Sequence, residues 1–194
     1  MKNLFFEFYT EEIPPFELYL AVSSIEGFIE NFATKHNIKM ESGKMFSTPR
    51  RIAYLTKAEE KQSDRKEIIW GPYKHIAFDA NGNPTKALES ILKSKNKKQE
   101  DILYKKDEKG EKIYFEEDVK GKHITELLPE LMETILTKIP FKKSMKWVNY
   151  TYTFTRPIHN ISLMFDNKVV PFKYHNLETN DLTYGHLILN HDEI

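Results

Sequence analysis

Three of the four arginines in this chain sit beside prolines, and they are the residues best suited to grip an anion. Arg50 and Arg51 follow Pro49, Arg156 precedes Pro157, and only Arg65 lies elsewhere. The remaining basic residues are 25 lysines. Arginine presents a rigid planar fork that holds phosphate or carboxylate through two hydrogen bonds and stacks on rings, whereas lysine presents a point charge. Two readings therefore stand side by side. The arginines contact phosphates of a bound nucleic acid, or they fork onto Glu7, Glu11, Glu12 or backbone carbonyls of their own fold. Lys142, Lys143 and Lys146 form a second basic segment, with Trp147 beside them for base stacking. His159 and His186 complete the set of contact or structural candidates.

Other constellations carry less chemistry. Glu11 and Glu12 are adjacent carboxylates, the composition of an acid–base pair or a metal site. Neighbours on an extended segment point apart, so the better reading is electrostatic: negative charge ahead of a helix complements its unpaired N–H groups. Asp79-Ala80-Asn81-Gly82-Asn83 hints at a calcium loop, but that loop needs Gly at its sixth position and Glu at its twelfth, where Pro84 and Ser90 stand. None of the seven histidines pairs at the i, i+4 spacing of a helical zinc site. The absence of Cys excludes disulfides, thiolate zinc sites and Cys nucleophiles. There is no Gly-rich phosphate loop and no G-x-S-x-G elbow. No catalytic, metal-ligating or cofactor-binding residue is assigned.

The elements that must hold these residues follow from pattern. The apolar run Leu4–Tyr9, broken by Glu7, predicts a strand, and Phe16, Leu20, Ile25, Phe28, Ile29 and Phe32 trace one face of a helix reaching His36. Pro15 suits that helix's first turn. The segment 45–57 reads as a turn at Pro49 feeding a strand, and 66–70 as a strand stopped by Gly71-Pro72. Asn83 and Pro84 read as the N-cap and first residue of a helix to Ser94. A hairpin turns at 107–110, with Gly110 free to take positive φ. A second amphipathic helix covers about 124–138, with Pro129 near its first turn or kinking it, and 150–165 and 168–177 are β-rich around Asp166-Asn167. The fold class is α+β: a mostly antiparallel or mixed sheet with two main amphipathic helices, over a single domain, 1–194.

Composition limits the partners. The 194 residues carry 29 basic and 29 acidic side chains, so the chain is not a globally basic nucleic-acid binder, although a local basic patch is compatible with zero net charge. Hydrophobic residues at 40% support a real core. No apolar run approaches the roughly 18 residues of a membrane helix, and Glu7 arrives too early for a secretory signal, which reads as a soluble cytoplasmic protein without membrane partners.

An ordered set of short motifs resembles one known family. Leu4-Phe5-Phe6-Glu7-Phe8-Tyr9-Thr10-Glu11-Glu12-Ile13-Pro14-Pro15 is similar to the opening of the bacterial heterotetrameric glycyl-tRNA synthetase beta subunit. The resemblance continues through Phe46-Ser47-Thr48-Pro49-Arg50-Arg51-Ile52-Ala53, Gly71-Pro72, residues 77–87, Ile139-Pro140, Met145-Lys146-Trp147, Phe154-Thr155-Arg156-Pro157-Ile158-His159 and Gly185-His186. One departure is Leu187, where the family commonly has Arg. The family's beta subunit is several times longer, so the resemblance implies an N-terminal fragment. It implies partnership with an alpha subunit and a second beta subunit (an alpha2 beta2 tetramer) and with tRNA(Gly). Glycine activation with ATP and Mg²⁺ would lie in the alpha subunit, leaving this fragment inactive alone and without a cofactor. It also implies an arrangement similar to the B3/B4 region of phenylalanyl-tRNA synthetase. The alternative is a non-catalytic protein-interaction module without RNA contact, which exposed aromatics over 147–177 would favour. A small hydrolase using Glu11 and Glu12 is the third reading.

Overall fold

The computed structural model describes residues 1–78, 83–94, 98–107, 110–147 and 152–185. These divide into two compact units, Met1–Ser63 with Lys122–Ile194, and Asp64–Gly121. The first unit contains β1 (Lys2–Thr10), α1 (Pro15–His36), β2 (Lys44–Thr48) and β3 (Arg51–Ala58). The second contains β4 (Arg65–Tyr73), α2 (Lys74–Ala77), α3 (Lys86–Ser94), β5 (Leu103–Asp107) and β6 (Gly110–Val119). The chain then completes the first unit with α4 (Ile124–Lys138), β7 (Met145–Trp147), β8 (Tyr152–Phe154) and β9 (Ile158–Phe165). Three short strands follow, β10 (Lys168–Val169), β11 (Lys173–Tyr174) and β12 (Leu177–Glu178).

Five strands of the first unit form an antiparallel sheet in the order β10-β9-β1-β3-β2. Alternation along β1 explains its position at the centre. Leu4, Phe6 and Phe8 are buried on one face, in register with Tyr54 and Ile52 of β3 and with Phe165, Leu163 and Ile161 of β9. This row shares one core with Ala21, Ile25, Ile29 and Phe32 of α1 and with Leu128, Leu131, Met132 and Ile135 of α4. Helix α1 ends at Asn37, whose positive φ of 49° lets its N–H meet the carbonyl of Thr34 at 3.2 Å. Helix α4 begins on a His123 cap: the Nδ1 accepts from the Thr125 N–H, and Glu126 reaches back to the His123 N–H, both at 3.3 Å. Pro129 lies inside α4 and the helix continues through it.

The opposite face of the sheet is polar yet covered. Glu7, Asn160 and Ser162 are buried there. The segment 179–185 crosses them, anchored by the Asn180 N–H on the Ile161 carbonyl at 3.2 Å and by Ser162 Oγ–H and Asn160 Nδ2–H on the Leu182 carbonyl at 2.6 and 2.8 Å.

The second unit is a three-stranded antiparallel sheet, β4-β6-β5, whose one face meets a small core of Ala77, Leu88, Ile102, Ile113 and Phe115. The hairpin at 107–110 places Gly110 at φ 126°, as its spacing predicts. Two boundaries differ from the sequence expectation. Strand β4 does not stop at Gly71-Pro72 but runs to Tyr73 across a register shift. Gly71 lies so near Ile113 that a Cβ would stand 2.6 Å from its Cγ1, and Pro72 falls at the irregularity where a ladder N–H is not required. Helix α3 starts at Lys86 rather than Pro84, because Pro84 is taken by a bridge to Phe78 and the Thr85 carbonyl accepts the Glu89 N–H at 3.0 Å. Of the segment Asp79–Pro84, which reads as a turn, residues 79–82 lie outside the described residues. The architecture is α+β, with antiparallel sheets and with α1 and α4 as its main amphipathic helices.

Candidate functional site

Backbone hydrogen bonds first bring the Pro-flanked segments together. The Thr10 N–H donates to Arg50 O at 2.9 Å, the Ile13 N–H to Pro49 O at 2.7 Å, and the Glu11 N–H to Pro157 O at 3.0 Å. Each proline thus turns its carbonyl to the end of β1 without needing an N–H of its own. The result is a crowded edge where Arg50, Arg51 and Arg156 meet Glu7, Glu11 and Glu12.

Each arginine has a different partner there. Arg50 donates through Nη2 to the carboxylate of Glu11, and its Nε lies 3.8 Å from Glu12. That Nε is buried without a hydrogen bond. Arg51 pairs through Nε with Glu7 at 3.3 Å, donates through Nη2 to the Tyr184 carbonyl, and lies over the Tyr9 ring at 5.5 Å. Arg156 donates to carbonyls only, through Nε to Glu12 O at 2.9 Å and through Nη1 to Thr155 O at 3.2 Å. His159 Nε2 stands 2.9 Å from Glu11 Oε1. That hydrogen bond holds the Glu11 carboxyl below its ordinary range, partial burial opposing it and the Arg50 charge reinforcing it.

Glu7 is the deepest charge of the cluster. It interrupts the apolar run of β1, and the alternation that buries Phe6 and Phe8 turns Glu7 to the covered polar face. Arg51 and the Thr183 hydroxyl, which donates to Oε1 at 2.5 Å, satisfy it there. An acidic residue inside an aromatic strand is a sequence signal for a buried pair. Thr183 and Tyr184 carried no such signal, because they enter only when 179–185 crosses the sheet.

The remaining candidates lie elsewhere. Lys142 donates its backbone N–H to Glu17 at 3.1 Å and holds its ammonium 4.2 Å from the Phe16 ring. The helical face expected of α1 therefore shifts at its start: Phe16 is exposed and Glu17 is buried. Lys143 and Lys146 are exposed. Trp147 donates its indole N–H to Phe154 O at 2.9 Å and packs against the first core. The β7–β8 register pairs Met145 with Phe154, which sets Lys143 and Arg156 at the same end of that hairpin. His186 lies outside the described residues.

This arrangement can do electrostatic and structural work. Glu11 and Glu12 do not sit at a helix start as dipole partners, as their spacing predicted; Glu11 is held by Arg50 and His159, and α1 has Pro14 as its N-cap and only Glu17 as an acidic first-turn residue. Among the described residues no three His, Asp or Glu side chains converge as a metal site requires.

Comparison with known proteins gives a consistent result. Residues 4–194 match the family described as glycyl-tRNA synthetase beta subunit. The chain is 38% identical over 191 residues to the glycine–tRNA ligase beta subunit of Syntrophotalea carbinolica, covering 98% of this chain and 28% of the relative. It is 35% identical over 195 residues to that of Aquifex aeolicus, covering 100% and 29%, and 36% identical over 186 residues to that of Geobacter sp. strain M21, covering 95% and 27%. The chain thus spans under a third of the length of the curated relatives it matches.

Proposed function

This chain belongs to the glycyl-tRNA synthetase beta-subunit family, and from that premise we propose that it is the N-terminal portion of such a subunit, serving tRNA recognition and assembly while a separate alpha subunit activates glycine with ATP and Mg²⁺. The match over residues 4–194 carries this reading. We assign no step through ATP or metal to the described residues. In this reading the partners of the basic groups suggest which of them would face RNA. Arg50 and Arg51 are neutralised by Glu11 and Glu7. Arg156 has only carbonyl partners among the described residues, and Lys143 and Lys146 are exposed. In this reading those three supply phosphate contacts, and Arg50 and Arg51 hold the site's shape.

The test combines this chain with an alpha subunit and measures glycylation of tRNA(Gly) and tRNA affinity against salt. Arg156→Ala with Lys143→Ala and Lys146→Ala is expected to flatten the logarithmic salt slope by about 2–3. An unchanged slope removes them as contacts. Glycine-dependent pyrophosphate exchange by this chain alone would overturn the division of labour. Among the described residues of 147–177, Tyr152, Phe154, Phe165 and Tyr174 are buried in the core and so lend the interaction-module reading no exposed ring.

A further inference from the structure

The second unit buries one face of its sheet and leaves the other open. In register across the three strands, Trp70 of β4, Tyr114 of β6 and Leu103 of β5 form a single row on the open face. Ile68 extends the row's apolar surface along β4. Trp70 is 46% exposed and Ile68 51%, large values for side chains that gain from burial. Trp70 and Tyr114 lie with ring centroids 5.6 Å apart.

The next row is Lys105 opposite Lys112. Like charges directly opposite on adjacent strands repel, and here both ammonium groups converge on one ring, 5.7 and 5.4 Å from the Trp70 centroid. Among the described residues neither makes an ion pair. Glu116, further along this face of β6, is held by Lys66 at 2.8 Å. A protein partner with an apolar face would satisfy the aromatic row but leave two adjacent ammonium groups uncompensated. An unpaired nucleotide satisfies both: its base stacks on the aromatic surface and its phosphate lies between the lysines.

We propose that the open face of the β4-β6-β5 sheet is a stacking platform for single-stranded RNA, with Trp70 and Tyr114 as the base-contacting rings and Lys105 and Lys112 as the phosphate clamp. This rests on the reading that the chain handles tRNA, and it adds to that reading a contact on the second unit's own sheet. Duplex RNA hides its base faces, so the platform discriminates against it.

The experiment uses the whole chain, a fluorescein-labelled 10-nucleotide single-stranded RNA and a duplex of equal length, read by anisotropy over a salt series. The wild type is expected to bind the single strand more tightly than the duplex. Trp70→Ala is expected to weaken single-strand binding about tenfold or more. Lys105→Gln with Lys112→Gln is expected to flatten the salt slope by about 1.4, the single-strand value for two phosphates. Trp70 faces solvent, so circular dichroism should show an intact fold. Equal affinity of wild type and Trp70→Ala, or an unchanged slope in the lysine variant, overturns the proposal. Loss of alpha-subunit co-purification in Trp70→Ala with RNA binding intact also overturns it and marks the face as a protein-docking surface. Normal glycylation by an assembled enzyme carrying Trp70→Ala and the lysine changes, with single-strand binding unaffected, rejects the platform and leaves the family-level function standing.

Discussion

Arg51 and Glu7 illustrate how a charge on a central strand is tolerated. Glu7 is 5% exposed, so its carboxylate depends on Arg51 and Thr183 for the hydrogen bonding that water would otherwise supply. Arg51→Ala leaves it buried without its cation and is expected to destabilise the protein by about 3 kcal/mol, measured by urea denaturation. Adding Glu7→Gln should recover part of that loss, because the uncompensated charge is removed. The neighbouring Glu11 gives a pH prediction. Its folded pKa is lowered, chiefly by the His159 hydrogen bond, so its contribution to stability is present above the ordinary carboxylate value of about 4.3 and is lost as pH falls through the lower folded value. Glu11→Gln should therefore flatten the acid limb of the stability profile. In a ¹³C titration of the Glu11 carboxyl, His159→Ala should move the midpoint upward toward the ordinary value. A midpoint unmoved by His159→Ala would show that the imidazole does not hold it.

The two halves of β4 show why a strand can continue where its sequence advises a stop. Gly and Pro weaken regular ladders, and Gly71-Pro72 reads as an end. The strand instead shifts register and continues, because Ile113 occupies the space that a side chain at 71 would fill. Gly71→Ala is expected to displace Ile113, which is fully buried, and to destabilise the second unit by about 1–3 kcal/mol. Faster amide exchange across 65–73 and 111–115, with β1 unaffected, is the expected signature. Helix α4 makes the complementary case. Its periodicity is strong enough that Pro129 inside it does not end it, and seven residues from Ile124 to Leu136 are buried on its apolar face. Its boundaries were legible from periodicity, whereas the start of α3 was displaced by the Phe78–Pro84 bridge, a contact that local spacing does not encode.

At the scale of the whole molecule, the second unit has its own core of five buried residues among those described, against a far larger cluster in the first. A small core stabilises little, so residues 64–121 should open at lower denaturant than the central sheet. Hydrogen exchange followed by mass spectrometry is expected to show two protection classes, with β5 and β6 exchanging before β1 and β9. A single class would mean that the units unfold together. Neither 64 nor 121 carries a Pro-, Gly- or Ser-rich linker, so no boundary is legible there in the sequence; the units differ in which residues their strands pair with.

By itself the sequence determined the local elements, the α+β class and the family, since alternation, helical period, turn residues and ordered motifs are all encoded over short windows. It also singled out the Pro-flanked arginines and left two kinds of partner open to them, the phosphates of a nucleic acid or Glu7, Glu11, Glu12 and backbone carbonyls of their own fold. Only the tertiary structure decided which arginine meets which carboxylate, because Arg50 and Glu11 are 39 positions apart and Thr183 and Glu7 are 176 apart. Sheet register brings such residues together, and register depends on the burial of a whole face rather than on any one segment. The same physics placed Trp70 on open surface and anchored Trp147 by its N–H to Phe154, a distinction that residue type alone cannot make.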